Sequence, residues 1–269
     1  QVDAIANIIR CFEDDNVVHV DGSVDPLRDI DVIQTELNLA DLESVEKRKT
    51  RIQKLAKSGD KASQAELVAL EALEQCLNDG QPARVAPLTD EQKVMVRDMH
   101  LITIKPVLYV ANVAEDDLAG EHPHVQKVRD YATEQGAEVV IICGKIESEI
   151  AELDAEEKSD FLQEMGLEQS GLDQMIQAGY RLLGLITYFT AGVKEVRAWT
   201  VPVNASAPQA AGVIHTDFEK GFIRAEVIAY DDFISAGGEA GAKEKGLLRV
   251  EGKEYRVHDG DVMHFRFNV

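Results

Sequence analysis

Three short runs of apolar residues that lack polar alternation constrain the fold of this 269-residue chain more than any other feature. They are AIANIIRCF at 4–12, PVLYVA at 106–111 and AEVVIIC at 137–143, and patterns typical of helices separate them. The first run also fits a helix end that passes into a strand. Strands that are apolar on both faces must be covered on both faces, as in parallel sheets flanked by helices. This part of the chain is therefore predicted to be α/β.

A long helical pattern follows the first run. It begins after Asp25-Pro26, a typical helix start because aspartate caps the first turn and proline has a suitable fixed φ. Apolar residues then recur at helical spacings from about Ile30 to Leu77, and SGDK at 58–61 interrupts them. Two helices joined by a tight turn predict an antiparallel hairpin.

Two shorter elements are predicted beside these. VVHV at 17–20 is a candidate strand, and Thr89 with Gln92 forms the pattern of a capping box at the start of another helix.

The residue composition of the sequence changes near residue 184. From there, short stretches rich in aromatic and β-branched residues surround a helix candidate at 207–215. This pattern predicts a separate α+β domain in which one helix lies on a curled mixed sheet. Residues 184–269 contain 10 basic and 12 acidic residues, a net of −2, whereas residues 1–183 contain 18 and 37, a net of −19. The asymmetry predicts two parts with different partners.

Composition limits the classes of partner and compartment. A net charge of −21 repels nucleic-acid phosphates from the chain as a whole. Cys11, Cys76 and Cys143 are far apart and form no CxxC motif, which favours free thiols in a reducing cytosol and hence a cytoplasmic protein. The sequence contains no run of 18 apolar residues, so no membrane span is predicted, and it has no signal-peptide pattern.

Polar residues follow two of the predicted strands at the point where each strand ends. Asn112 and Glu115 come after PVLYVA, and CGK at 143–145 comes after AEVVII. Ligands of open α/β sheets bind at the carboxyl ends of strands, so these two loops are candidates to flank a purine base. An asparagine amide can both donate and accept at the purine N7 edge, whereas a carboxylate only accepts. The alternative interpretation is a polar loop that caps a helix and meets solvent, and the spacing alone does not decide between them.

A loop that would hold phosphates is missing from the sequence. No GxxxxGK[ST] motif occurs, since CGKI and EGKE lack both the upstream glycine and the Ser or Thr that would bind magnesium. Triphosphate binding depends on the backbone N–H groups of such a loop. No catalytic or metal-binding residue is therefore predicted.

Two pairs of histidine-containing positions are weak metal candidates. His122 and His124 are too isolated for a metal site and are interpreted as part of a solvated loop. His215 and Asp217 could supply two ligands, but no third is visible, and a histidine stabilised at a helix C-terminus is the favoured interpretation.

Basic residues of the less acidic part lie among aromatic ones. Interleaved cations and rings could face RNA or the ribosome, and core aromatics with solvated charges are the alternative. The candidate cations are Lys194, Arg197, Lys220 and Arg224.

Longer stretches of the sequence resemble a known family. YFTAGVKEVRAWTVP, APQAAGVIHTDFEKGFIRAEV and VEGKEYRVHDGDVMHFRFNV are similar to the end of the YchF proteins, the Obg-like ATPases of the translation-factor GTPase class. The resemblance extends to IIRCFEDDNVVHVDGSVDP, to NVAE and to AELDAEEKSDFLQEMGLEQSGL, and so covers the whole chain.

The resemblance implies a P-loop G-domain of α/β class that is interrupted by an antiparallel helical hairpin and followed by an α+β TGS domain of β-grasp type. The expected segments are G-domain at 1–34 and 101–162, hairpin at 35–100, helical linker at 163–183 and TGS domain at 184–269. The implied activity is hydrolysis of ATP with Mg²⁺, and the implied partner is the ribosome, through its protein or its RNA.

The resemblance also implies roles for single residues. Asn112, Val113, Ala114 and Glu115 match the fourth G-protein motif, in which most relatives have Asn-Lys-x-Asp. In this family the Lys is small or apolar and the Asp is Glu, a change that accompanies preference for ATP over GTP. Cys143, Gly144 and Lys145 match the fifth motif, whose backbone borders the base.

By the same resemblance, family members carry an N-terminal stretch with the phosphate loop, both switch regions and the magnesium ligands. The chain is therefore expected to be a fragment that does not hydrolyse ATP alone and binds neither ATP nor Mg²⁺ tightly. The fragment could still bind a ribosome without nucleotide control. Exposed apolar faces of AIANIIRCF and PVLYVA are expected to cause partial disorder or self-association.

Overall fold

The computed structural model describes residues 2–14, 17, 22–192 and 195–268. The chain divides into two compact units, Gln1–Leu182 and Leu183–Val269. The division lies one residue from the expected start of the C-terminal domain, and the finer domain boundaries stay predictions. Apart from Val17, the strand predicted at 17–20 lies outside the described residues. No helix in the described ranges is both long and apolar enough to cross a membrane.

The first unit contains a parallel sheet in the order β1-β2-β3 and the helices around it. Its strands are β1 (Ile5–Arg10), β2 (Val107–Asn112) and β3 (Val139–Ile142). Its helices are α1 (Pro26–Lys57), α2 (Lys61–Asn78), α3 (Asp90–Val96), α4 (Pro123–Glu134), α5 (Gly144–Ile150), α6 (Ala155–Glu164) and α7 (Gly171–Leu183). Short 3-10 turns occur at Ala83–Val85 and Arg97–Met99. The predicted α/β class and parallel pairing are confirmed.

Strand β2 is covered on both faces, because its side chains alternate between two cores. Tyr109 and Ala111 pack with Val125 and Val128 of α4, whereas Leu108 and Val110 pack with side chains of α7. The residues Leu108–Ala111 are all buried, so the expected exposure of PVLYVA is wrong. In β1 the expected exposure is found on one face only, where Ile8 is 62% exposed, whereas Ile9 on the other face is 2% exposed.

Helices α1 and α2 form the predicted hairpin. Asp25 caps α1 by accepting from the Leu27 N–H, and Asp60 caps α2 through the Ser63 N–H after a turn in which Gly59 has φ 92°. Their buried seam contains Val45, Ile52, Ala69, Leu70, Leu73 and Leu77. Because α1 begins at Pro26, the expected boundary at residue 35 falls inside a helix. The predicted Thr89–Gln92 capping box starts α3.

A buried carboxylate ties the hairpin to the chain that leads into β2. Asp41 of α1 is 2% exposed and accepts from the N–H of Ile102 at 2.8 Å. It also accepts from the N–H and the hydroxyl of Thr103, each at 2.6 Å. A buried charge is tolerated when hydrogen bonds satisfy it, and three donors do so here.

The second unit is a five-stranded mixed sheet with four helices. The strand order is β5-β4-β8-β6-β7, in which β4 and β8 are parallel and the other neighbours antiparallel. The strands are β4 (Leu185–Ala191), β5 (Val196–Pro202), β6 (Phe222–Ala229), β7 (Arg249–Glu251) and β8 (Asp261–Phe267). The helices are α8 (Ala207–Ile214), α9 (Thr216–Lys220), α10 (Tyr230–Ser235) and α11 (Glu239–Glu244).

Helix α8 covers one face of this sheet through its small side chains. Ala207 and Ala210 are fully buried against a core that includes Val227 and Phe265. The Tyr188 hydroxyl donates to the Ala210 carbonyl at 2.9 Å, which satisfies the polar end of a buried ring. The predicted mixed sheet and the predicted helix on it are confirmed, but α9, α10 and α11 were not predicted.

Candidate functional site

The two candidate loops lie side by side at the carboxyl ends of β2 and β3. Asn112 and Ile142 are paired in register as the last residues of their strands. The Val113 N–H then donates to the Ile142 carbonyl at 2.8 Å, which continues the pairing beyond the strands. The sheet therefore brings residues 112–115 next to residues 143–145, at the edge where parallel sheets bind ligands.

A side-chain hydrogen bond joins the loops. The Asn112 Oδ1 accepts from the Gly144 N–H, the first amide of α5, at 2.9 Å. Its Nδ2 has no partner in the described part of the chain and can donate to a ligand. Cys143 is the N-terminal cap residue of α5 and makes no side-chain cap bond, so the start of that helix depends on this contact and on the backbone.

Glu115 and Lys145 form a second bridge between the loops. The Lys145 Nζ lies 2.7 Å from the Glu115 Oε2, and both side chains are largely exposed. The hydrogen bond to Glu115, followed by the negative charge of that carboxylate, raises the pKa of Lys145. Val113 is buried between these polar positions, and Ala114 is half-buried. The ion pair joins two residues of the candidate site, so the carboxylate is held within the site itself.

Further contacts hold the two loops in place. Glu147 of α5 accepts from the N–H groups of Gly171 and Leu172 and so ties α5 to the start of α7. In the other loop, Asp117 accepts from the N–H groups of Glu121 and His122. These carboxylates hold backbone N–H groups of the two loops in place.

Cys11 is buried beneath this region. Burial, and secondarily the charge of Asp117, raises the pKa of its thiol to about 12. A thiol with such a pKa stays protonated at neutral pH and is a poor nucleophile. Cys11, Cys76 and Cys143 are all free, as the sequence predicts.

The histidine candidates have structural positions. His122 caps α4 by accepting from the His124 N–H, and the His124 side chain is 15% exposed in the first turn. Because α4 begins at Pro123, the interpretation as part of a solvated loop is wrong for His124, whereas His122 lies at the end of the preceding loop. His215 ends α8 and caps α9 by accepting from the Asp217 N–H. Within the described ranges, no group of three His, Cys, Asp or Glu side chains could hold a metal.

The basic candidates of the second unit do not share one face. Arg197 stacks at 4.1 Å on Trp199, whose Nε1 donates to Thr190, and both lie on the face of β5 that is continuous with the Tyr188 core. Arg224 precedes the buried Ala225 and therefore lies on the opposite face.

The other two basic candidates are Lys220 and Lys194. Lys220 is exposed at the end of α9, and Lys194 lies outside the described residues. Arg266 was not among the predicted candidates; it pairs in register with Arg224 and forms a salt bridge with Glu226 at 2.9 Å. The alternation of MHFRF is a signal that could have identified it.

Comparisons with known proteins all identify the same family. A family model called YchF-GTPase_C, described as a protein of unknown function (DUF933), matches residues 185–268. The ribosome-binding ATPase YchF of Bacillus subtilis (strain 168) is 56% identical over 271 residues, covering 100% of this chain and 74% of that protein. The ribosome-binding ATPase YchF of Haemophilus influenzae is 57% identical over 269 residues with the same coverage. A solved structure of the Schizosaccharomyces pombe YchF GTPase has a TM-score of 0.81 and 34% identity, covering 98% of this chain and 72% of that one.

Proposed function

The chain belongs to the YchF family, and from that premise we propose that its loops at 112–115 and 143–145 form the base-binding edge of an ATP site. The observation that carries the proposal is the hydrogen bond from the Gly144 N–H to the Asn112 Oδ1 at 2.9 Å. This bond holds the Asn112 side-chain amide between the two loops, and the Asn112 Nδ2 remains available to donate to the purine N7 edge.

The ion pair between Glu115 and Lys145 supports adenine over guanine. A free carboxylate accepts from guanine N1–H and N2–H and repels the N1 acceptor of adenine. Lys145 donates to this carboxylate at 2.7 Å and neutralises its charge, so the site loses part of its preference for guanine. Adenine can then bind through Asn112 and the backbone of the second loop.

Titration with adenosine and guanosine, followed by the amide NMR signals of Val113 and Gly144, tests the base site. We expect adenosine to shift these signals and Asn112→Ala to abolish the shift. Because an exposed ion pair is weak, Lys145→Ala should move the preference towards guanosine by up to about fivefold. Lys127→Ala, which removes an exposed lysine of α4, is the matched control. Adenosine shifts located elsewhere in the chain would refute the proposal.

ATP hydrolysis requires more than this base edge. In P-loop proteins Mg²⁺ neutralises charge on the phosphates, and a phosphate loop holds them. The 269 residues contain no GxxxxGK[ST] motif, and the described ones offer no group of ligands suited to a metal. We therefore infer that a polypeptide of these residues alone binds ATP and Mg²⁺ weakly and does not hydrolyse ATP. Turnover at the rate of the Bacillus subtilis relative would contradict this.

The second proposed role is ribosome binding, which is favoured by the near-neutral charge of residues 184–269 within a chain of net charge −21. We propose that the second unit is a TGS domain of β-grasp type, supported by the packing of α8 on its mixed sheet, and that it docks on the ribosome with the α1–α2 hairpin. Docking would not require nucleotide and would take place in the cytoplasm.

Cosedimentation with ribosomes tests this role. We expect the protein in the pellet, and its loss after Arg197→Glu combined with Lys220→Glu. Arg224→Glu, which reverses the charge of the candidate on the other face of the sheet, tests whether that face contributes to binding. A steep decrease of binding with salt would assign the contact to RNA phosphates, and a shallow one to a ribosomal protein. Failure to pellet at low salt would refute the role.

A further inference from the structure

The first unit contains a cavity of about 220 Å³ at the amino-terminal ends of β1 and β2. Val107 and Asn112 are the two ends of β2, so about 17 Å of strand separates the cavity from the candidate base site. The lining residues are Ile5, Ala6, Asn7, Ile33, Gln34, Leu37, Arg84, Ile102, Thr103, Lys105, Val107 and Tyr109. A ligand here would occupy a site distinct from that of the base.

The charge of the cavity is opposite to that of the chain. None of its twelve lining residues is acidic, although the chain has 49 acidic residues, and two are cationic. Arg84 and Lys105 are both half-buried, and neither has a carboxylate oxygen within 4.0 Å among the described residues. Arg84 does donate to the Thr103 carbonyl at 3.5 Å and lies near the Tyr109 hydroxyl. The buried Asp41, whose oxygens accept from the lining residues Ile102 and Thr103, does not itself line the cavity. Two cations facing one cavity would attract a bound carboxylate and form charge-assisted hydrogen bonds with it.

The rest of the cavity wall is apolar. Ile5, Leu37 and Val107 contribute to it, and Ile33 remains 47% exposed beside them. Asn7 adds an amide without a side-chain hydrogen-bond partner in the described ranges. A few polar groups set in an apolar wall are typical of small-molecule sites, and the volume is below the ~300–1,000 Å³ of drug-sized pockets.

We propose that this cavity binds a small organic acid, with its carboxylate on Arg84 and Lys105 and its apolar body against the wall formed by Ile33 and Leu37. A guanidinium presents two parallel N–H groups that match a carboxylate, which favours this anion. The proposal is independent of the nucleotide and ribosome roles.

Benzoate is the probe, and benzyl alcohol is its neutral counterpart of similar shape. Binding is followed by the amide NMR signals of Asn7, Thr103 and Lys105. We expect saturable shifts with benzoate and at least about tenfold weaker binding of benzyl alcohol, because charge-assisted hydrogen bonds are lost. Arg84→Gln and Lys105→Gln should each weaken benzoate binding about tenfold. Lys54→Gln, on α1 about 26 Å beyond Leu37, is the matched control.

A variant that fills the cavity provides a check that does not remove charge. Ala6 is exposed and lines the cavity, so Ala6→Phe should fold normally and exclude both probes. Thermal melts of every variant verify folding. Absence of saturable benzoate shifts, equal binding of benzyl alcohol, or unchanged affinity in folded Arg84→Gln and Lys105→Gln proteins would overturn the proposal.

Discussion

Removing the buried carboxylate of Asp41 should destabilise the first unit and leave the second unchanged. The carboxylate accepts three short hydrogen bonds, one from Ile102 and two from Thr103. Hydrogen bonds to a charged group contribute about 1.5–3 kcal/mol each, but the variant also loses the cost of burying the charge, and the Thr103 hydroxyl can rotate. We therefore expect Asp41→Ala to lower the free energy of unfolding by about 3–5 kcal/mol, a large fraction of the ~5–15 kcal/mol typical of a domain.

Two optical signals separate the units in a urea titration. The single tryptophan, Trp199, lies in the second unit, whereas the long helices α1 and α2, which dominate far-UV circular dichroism, lie in the first. Asp41→Ala should shift the dichroism midpoint and not the fluorescence midpoint. Glu46→Ala, on the exposed face of α1, should change stability by less than about 0.5 kcal/mol. A dichroism shift below about 1 kcal/mol, or an equal fluorescence shift, would refute the reasoning.

Three further outcomes can be measured directly. At pH 8, an aromatic disulfide reagent should label the half-buried Cys76 before the buried Cys11, because burial raises the pKa of both thiols but that of Cys11 to about 12; simultaneous labelling would contradict this. Ile8→Lys should reduce self-association in light scattering, since it places a charge on the exposed face of β1; an unchanged mass would count against that face. The hydrogen bond from Arg266 lowers the pKa of Glu226. The ion pair therefore stabilises the fold fully above the ordinary glutamate pKa, and this stabilisation is lost as the pH falls through the lowered pKa. Arg266→Ala should make the melting temperature less sensitive to acid.

The regular elements could be predicted from local sequence because their causes are local. Apolar runs without alternation indicated β1, β2 and β3, and the Thr89–Gln92 capping box marked the start of a helix. The loops after β2 and β3 could be placed together because parallel strands end at the same edge. The exposure of β2 was predicted wrongly, since the sequence does not reveal that α4 and α7 cover both of its faces.

The contacts that define the sites depend on residues far apart in the chain. Glu115 and Lys145 are 30 positions apart, and Asp41 and Thr103 are 62 apart. Residues of these four kinds are common throughout the sequence, so only the fold shows which of them are partners. The cavity beside Arg84 likewise arises where a strand, a helix and a turn meet, and no local pattern indicates such a space.

The order of the strands also has a kinetic consequence. Ile5 and Val107 are partners in adjacent strands although 102 positions separate them, and the whole α1–α2 hairpin lies between. Closing so long a loop costs entropy before any pairing is gained, whereas the hairpin closes over three residues. The hairpin can therefore assemble first on a nascent chain. Once the hairpin has formed, the effective loop between β1 and β2 is shorter, and the two strands can pair at a lower cost in entropy.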